Sequence, residues 1–190
     1  MIVRWQRDLG KALGKFQQMK QVWRNRRLKL RTKVRCYQCY VIPILLFGSE
    51  YWSMTDAQVT QLERVHSRCM RQMLGVKLSD RHSLSWLRKQ CGLASIAQYL
   101  MAGRMRWLAG HVLRMGEGRL PHVALLSTPA GGWRSRGRPA TRWADRIKKD
   151  LHQLGLPLHR LGAGGLQEHC ADRQAWRQLV YGITHHLHDQ

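Results

Sequence analysis

Acidic residues are scarce in this chain of 190 residues: 11 Asp and Glu stand against 33 Lys and Arg, a formal net charge of +22. Uncompensated charge on that scale destabilises a compact state through self-repulsion, so a polyanion is the partner that accounts for it most simply. The acids themselves are dispersed over Asp8, Glu50, Asp56, Glu63, Asp80, Glu117, Asp145, Asp150, Glu168, Asp172 and Asp189. No two are adjacent, whereas two-metal polymerase or nuclease chemistry needs carboxylates converging on the ions. A Gly-rich loop ending in Lys-Ser/Thr, a His-Glu-x-x-His and a Gly-x-Ser-x-Gly are all missing too. The chain therefore reads as non-catalytic.

Long apolar runs are equally absent. The longest, residues 41–47, contains Pro43 and is far too short to span a bilayer, so no membrane partner is expected. Residues 1–13 carry charges throughout and lack the apolar core of a secretory signal. They are basic and amphipathic, which suits a mitochondrial presequence or, the preferred reading, the first helix of the fold. Cysteine is limited to five scattered positions, an odd number that points to reduced thiols in the nucleus or cytosol, the nucleus favoured. Cys36-x-x-Cys39 would make half a zinc site, but no second Cys/His pair follows at finger or ribbon spacing. His185-His186-x-His188 reads as a frayed terminus. No metal or cofactor is expected.

What remains is apolar enough to fold, with 44% hydrophobic residues and eight Trp. The periodicity is helical throughout, with no convincing period-2 strand, so the fold class is mostly α. A first helix spans residues 2–23, weakened by Gly10 and Gly14. A basic run follows at Arg24, Arg26, Arg27, Lys29, Arg31 and Lys33, then a core helix over 34–47. Thr55 with Gln58 forms a capping box and Gly75 occupies a C′ position, which delimits the next helix. On its outer face Arg64, Arg68 and Arg71 make a positive ridge about 10 Å long. A short helix covers 83–91, and the longest one 95–115, with Ile96, Leu100, Gly103, Trp107 and Val112 inward and Arg104, Arg106 and Arg114 outward. A short element at 120–126, a Gly/Pro-rich joint at 155–165 and a terminal helix capped by Asp172 complete the chain, with Trp176, Leu179, Val180, Ile183 and Leu187 inward.

Residues 134–151 combine a basic Gly/Pro loop with an amphipathic helix. Trp143, Ile147, Leu151 and Leu154 form one apolar stripe of that helix, and Arg142, Arg146 and Lys149 lie on another face. A loop presenting Arg134, Arg136 and Arg138 beside a rigid basic helix suits a phosphate backbone, because guanidinium groups pair with phosphate in a bidentate fork. Trp133, in the loop, is the aromatic placed to stack on a base. Nucleic acid, as DNA, RNA or hybrid duplex, is the expected partner, with Arg64, Arg68, Arg71 and the 24–31 run in support. The competing reading is a solvated loop before an ordinary surface helix.

The order of motifs resembles the C-terminal, post-palm region of LINE-type (non-LTR) retrotransposon reverse transcriptases. Leu45-Leu46-Phe47-Gly48-Ser49-Glu50 with Trp52 is close to that family's LLYGxExW. His66-Ser67-Arg68-Cys69-Met70-Arg71-Gln72-Met73-Leu74-Gly75 resembles HxRCLRxILG, and Asp80-Arg81 follows it. Arg104-Met105-Arg106-Trp107 through Gly110-His111-Val112-Leu113-Arg114-Met115 is similar to RLRWxGHVxRM. Gly137-Arg138-Pro139-x-x-Arg142-Trp143 and Ala171-Asp172-Arg173-x-x-Trp176-Arg177 come next, so the likeness runs almost end to end.

The resemblance implies a thumb-like helical bundle over residues 1–115 that grips a template–primer duplex, and a basic C-terminal extension over 116–190. The palm with its paired aspartates would lie upstream of Met1 and would be a missing partner domain. One departure stands out: Trp107-Leu108-Ala109-Gly110-His111 holds one residue more than the family's Trp-x-Gly-His. On a continuous helix an extra residue turns everything after it by about 100°. Two other classes stay open: a structural helical module with no independent function, and a basic mitochondrial or ribosome-associated protein.

Overall fold

A computed structural model describes residues 2–115, 118–120, 143–156 and 170–185 of the chain. Among the described residues every regular element is helical and there is no strand, as the apolar periodicity predicts. Nine α-helices are described, joined by turns and short 3-10 segments: α1 (Ile2–Gln18), α2 (Lys20–Arg24), α3 (Leu30–Tyr40), α4 (Ile42–Leu45), α5 (Asp56–Leu74), α6 (Leu84–Cys91), α7 (Ile96–Gly110), α8 (Trp143–Gln153) and α9 (Arg173–His185). The element expected after Leu120 lies outside the described residues, as does most of the Gly/Pro-rich joint.

Three expected helices are broken; the one expected over 95–115 leaves the α-helix at His111 (φ −131, ψ −61) and continues as the 3-10 segment Val112–Arg114. The helix expected over 2–23 ends at Gln18, pauses at Met19 (φ −88, ψ 17) and resumes as α2. The break folds Trp23 back on Phe16: the rings stack at 4.7 Å, and the indole Nε1 donates to the Phe16 carbonyl at 2.7 Å. The core helix expected over 34–47 splits at Val41, because the Pro43 ring has no N–H to donate and collides with the preceding turn. Proline is tolerated in the first turn of a new helix, which is where α4 places it.

The start and stop signals of α5 are as expected. Thr55 Oγ1 accepts from the Gln58 amide at 3.3 Å and Gln58 Oε1 accepts from the Thr55 amide at 2.8 Å. Gly75 ends the helix at φ 75, a left-handed conformation that glycine adopts without a Cβ clash. Ser95 and Gln98 form a second capping box, at the start of α7. That serine–glutamine spacing was readable in the sequence.

The apolar residues form two clusters that share α7. The first packs α1–α6 and the start of α7 around Trp23, Tyr37, Leu45, Leu62, Met70, Leu87 and Leu100. In the second, Ala102, Met105 and Leu108 of α7 pack on Ile147 and Leu151 of α8, Cys170, and Trp176 and Val180 of α9. A helix that is apolar all round is buried on several sides, and α7 has that pattern. This overturns one expectation. Arg104, expected to face outward, is buried, with its guanidinium paired to Asp150 of α8 through Nε–Oδ2 at 2.5 Å and Nη2–Oδ1 at 3.0 Å.

Candidate nucleic-acid interface

The α5 ridge survives folding as a concave surface. Arg64, Ser67, Arg68, Arg71 and Gln72 of α5, with Val76 and Leu78 from the segment after it, line an open groove of about 590 Å³. Arg64 and Arg68 are exposed and no described acid pairs with them. Arg71 is half-buried and bends the chain after α5, donating from Nη2 to the His82 carbonyl at 2.7 Å and from Nη1 to the Lys77 carbonyl at 3.4 Å. Two guanidinium groups are thus free for a ligand and a third holds the wall of the groove. On the opposite face of α5 the helix is tied to the core, so the ridge stands on a rigid base.

The inner face of α5 explains part of the motif that carries the ridge. His66 is fully buried: Nε2 lies 3.1 Å from the Ala94 carbonyl and Nδ1 lies 2.9 Å from the Tyr37 hydroxyl. A carbonyl can only accept, so Nε2 carries the proton and Nδ1 accepts from Tyr37. Burial disfavours the imidazolium and holds His66 below its ordinary value. Burial also raises Tyr37 and pushes the Cys69 thiol up to about 12. Within His66-Ser67-Arg68-Cys69, histidine and cysteine serve packing and the arginine faces solvent.

A second basic surface is the turn between α2 and α3. Arg24, Arg26, Arg27, Lys29 and Arg31 are all exposed, and none forms an ion pair with a described residue. Asn25 Oδ1 accepts from the Arg27 amide at 2.8 Å and fixes the turn. Lys33, the last of the basic run, is buried, and its Nζ donates to the Trp23 carbonyl at 2.9 Å.

The α8 residues have a different environment. Arg146 Nη1 lies 2.8 Å from Asp56 Oδ1, and Lys149 Nζ lies 3.7 Å from the same oxygen, so both tie α8 to the first turn of α5. Hydrogen bonding from Arg146, with its charge, lowers the Asp56 carboxyl below the usual carboxylate range. The Arg146 side chain is largely covered, whereas Lys149 is half exposed. Trp143 Nε1 donates to the Glu50 carbonyl at 2.6 Å, and its ring meets the Trp107 edge at 5.1 Å. Trp133, Arg134, Arg136, Arg138 and Arg142 lie outside the described residues.

Several of the described acids have structural engagements of their own. Glu63 takes Arg88 at 2.7 Å on one oxygen and the Ile96 amide at 2.8 Å on the other. Asp80 accepts from the Lys77 amide at 2.7 Å, and Asp172 caps α9 by accepting from Gln174 and Ala175. No group of three His, Cys, Asp or Glu that could hold a metal ion occurs among the described residues. Among them also, no helix is long and apolar enough to cross a membrane.

With exposed arginines on α5 and at the α2–α3 turn, and several acids held in caps and ion pairs, comparison with known proteins finds one likeness. The chain is similar to a transposon-derived protein. The relative, an uncharacterised transposon-derived protein of Caenorhabditis elegans, is 25% identical over 123 residues, 63% of this chain. The chain spans less than half of that relative, 44% of its length. No family model matches the chain, and no solved structure does.

One convergence escaped the sequence reading. Arg106, Arg114, Arg173 and Arg177 line one cavity between α7 and α9. The Arg173/Arg177 pair, four residues apart on a helix, was readable; its meeting with Arg106 and Arg114 required the docking of α9.

Proposed function

We propose that the chain is a non-catalytic nucleic-acid-binding part of a retrotransposon reverse transcriptase, gripping the phosphate backbone of a duplex or RNA–DNA hybrid with little base specificity. The observation that carries this reading is the α5 groove, a concave surface edged by Arg64 and Arg68 with no acid among its described lining residues. The exposed 24–31 turn extends the positive surface, and the transposon-derived relative agrees with such an origin. Guanidinium groups on a rigid helix read charge and spacing, not base edges, which makes the contact sequence-tolerant. In this reading polymerase chemistry belongs to carboxylates outside these residues, and the LINE-type thumb is the nearest functional parallel.

Titration of the protein against duplex DNA, hybrid and single-stranded RNA over a salt series tests it. If six to ten phosphates are neutralised, affinity falls roughly 10³–10⁵-fold between 50 and 200 mM salt. Arg64→Gln with Arg68→Gln should weaken binding uniformly across sequences and reduce the log–log salt slope by about 1 for each arginine removed. A binding curve indifferent to salt would sink the proposal.

A second reading, a structural helical module without binding of its own, draws on His66 and Arg104: both lie in the family-like motifs, and both are buried in packing contacts. A cooperative melt combined with no affinity for any of the three nucleic acids decides for it.

A further inference from the structure

The C-terminal helix docks on α7 through Trp176, whose buried indole donates from Nε1 to the Met105 carbonyl at 3.2 Å. Beside that seam lies a cavity of about 370 Å³ lined by Arg106, Arg114, Arg173, Trp176, Arg177 and Val180. Three elements supply its four described arginines. Arg173 and Arg177 stand one turn apart on α9, Arg106 comes from α7, and Arg114 from the 3-10 segment Val112–Arg114.

Arg114 reaches the cavity because α7 stops. On an unbroken helix it would lie about 12 Å beyond Arg106 and about 80° around the axis. The chain leaves the helix at His111 (φ −131, ψ −61) and turns into the 3-10 segment, which brings Arg114 back beside Arg106. The extra residue between Trp107 and His111 falls in the last turn before this break.

The four side chains belong to exposed residues, and no described hydrogen bond or ion pair engages any of them. No acid occurs among the described residues that line the cavity. Asp172, next to Arg173 in the chain, has Oδ1 held by the amides of Gln174 and Ala175 at 2.8 and 3.0 Å. Four like charges around one small space repel, and nothing described there compensates them; an anion that enters relieves the repulsion and gains charge-assisted hydrogen bonds from several forks at once. Guanidinium geometry selects phosphate and carboxylate, and four cations select a multiply charged group. The volume lies at the small-ligand end of binding sites, and the buried Trp176 and Val180 are among the residues that line it.

We propose that this cavity binds a multiply charged phosphate group, either the terminal phosphate monoester of a nucleic-acid strand or a free polyphosphate. It stands on residues separate from the α5 groove and does not depend on the backbone-binding reading.

The test uses the whole chain and two probes. Inorganic tripolyphosphate is titrated by calorimetry, and one oligonucleotide is compared by fluorescence anisotropy with a 5′-phosphate and with a 5′-hydroxyl end. Tripolyphosphate should bind, and Arg173→Gln with Arg177→Gln should weaken it by about tenfold or more, the scale of losing charge-assisted hydrogen bonds. A preference for the 5′-phosphate end that the α9 variant abolishes identifies the strand end as the source. Tripolyphosphate binding with no such preference identifies free polyphosphate. Should the α9 variant lose its cooperative melt, Arg106→Gln with Arg114→Gln reads the same loss from outside α9. No tripolyphosphate binding by the wild type, or equal binding by wild type and folded variant, overturns the proposal.

Discussion

Arg104 and Asp150 offer the sharpest test of how the two halves of the described structure are joined. Their side chains are 8% and 5% exposed, and two parallel N–H···O contacts link them across the α7–α8 seam. Asp150→Ala removes the carboxylate and leaves the guanidinium among Met54, Val59, Leu100 and Met101, with Arg146 and Lys149 also nearby. Breaking a buried pair at one partner costs about 3–5 kcal/mol, because the remaining charge has lost water and gained no partner. Such a loss is a large part of the roughly 5–15 kcal/mol that stabilises a domain. For a chain of this size each kcal/mol moves Tm by roughly 2–4 °C, so a fall of about 6–20 °C is expected. Arg104→Met should behave similarly. The double variant Arg104→Met with Asp150→Leu, which replaces both charges by apolar groups, should recover most of the loss. Thermal melts by circular dichroism read all three. A fall below about 2 °C in Asp150→Ala, or a double variant as unstable as the sum of the singles, refutes the argument.

Two more predictions concern stability. Because burial depresses the His66 value, the unfolded chain takes up this proton first as pH falls below the ordinary histidine value near 6.5. Stability from this group is complete above that pH and is lost below it, at up to about 1.4 kcal/mol per pH unit. His66→Gln should therefore show a shallower decline between about pH 6.5 and 5 in urea unfolding, and parallel curves would refute the assignment. Gly10 and Gly14 lie within α1, and a Cβ at either position meets nothing within 4 Å. Alanine at each should add about 0.5–1 kcal/mol through lower unfolded-state entropy, visible as a higher denaturation midpoint; a decrease would mean that these positions contact a partner.

Much of the fold was legible because local chemistry governs it. Thr55 with Gln58 and Gly75 delimited α5, Asp172 marked the start of α9, and the stripe Ile147, Leu151 identified the buried face of α8. The errors have two causes. The 2–23 and 34–47 segments carry continuous helical periodicity, and periodicity does not report where a chain must turn to stack Trp23 on Phe16 or to accommodate Pro43. Arg104 was assigned to solvent by the general cost of burying charge, which a partner 46 residues away offsets.

For the candidate site the division is similar. Composition alone determined the excess of positive charge, and helical spacing alone determined that Arg64, Arg68 and Arg71 share a face of α5. Tertiary structure decided which arginines are left for a ligand. It turned Arg71 to the His82 carbonyl, Arg146 to Asp56 and Arg104 to Asp150, and it brought Arg106 and Arg114 to Arg173 and Arg177. The physical reason is range. Helix caps and faces are set by residues within a turn or two, but the fate of a charge depends on whichever opposite charge the packed helices bring within reach.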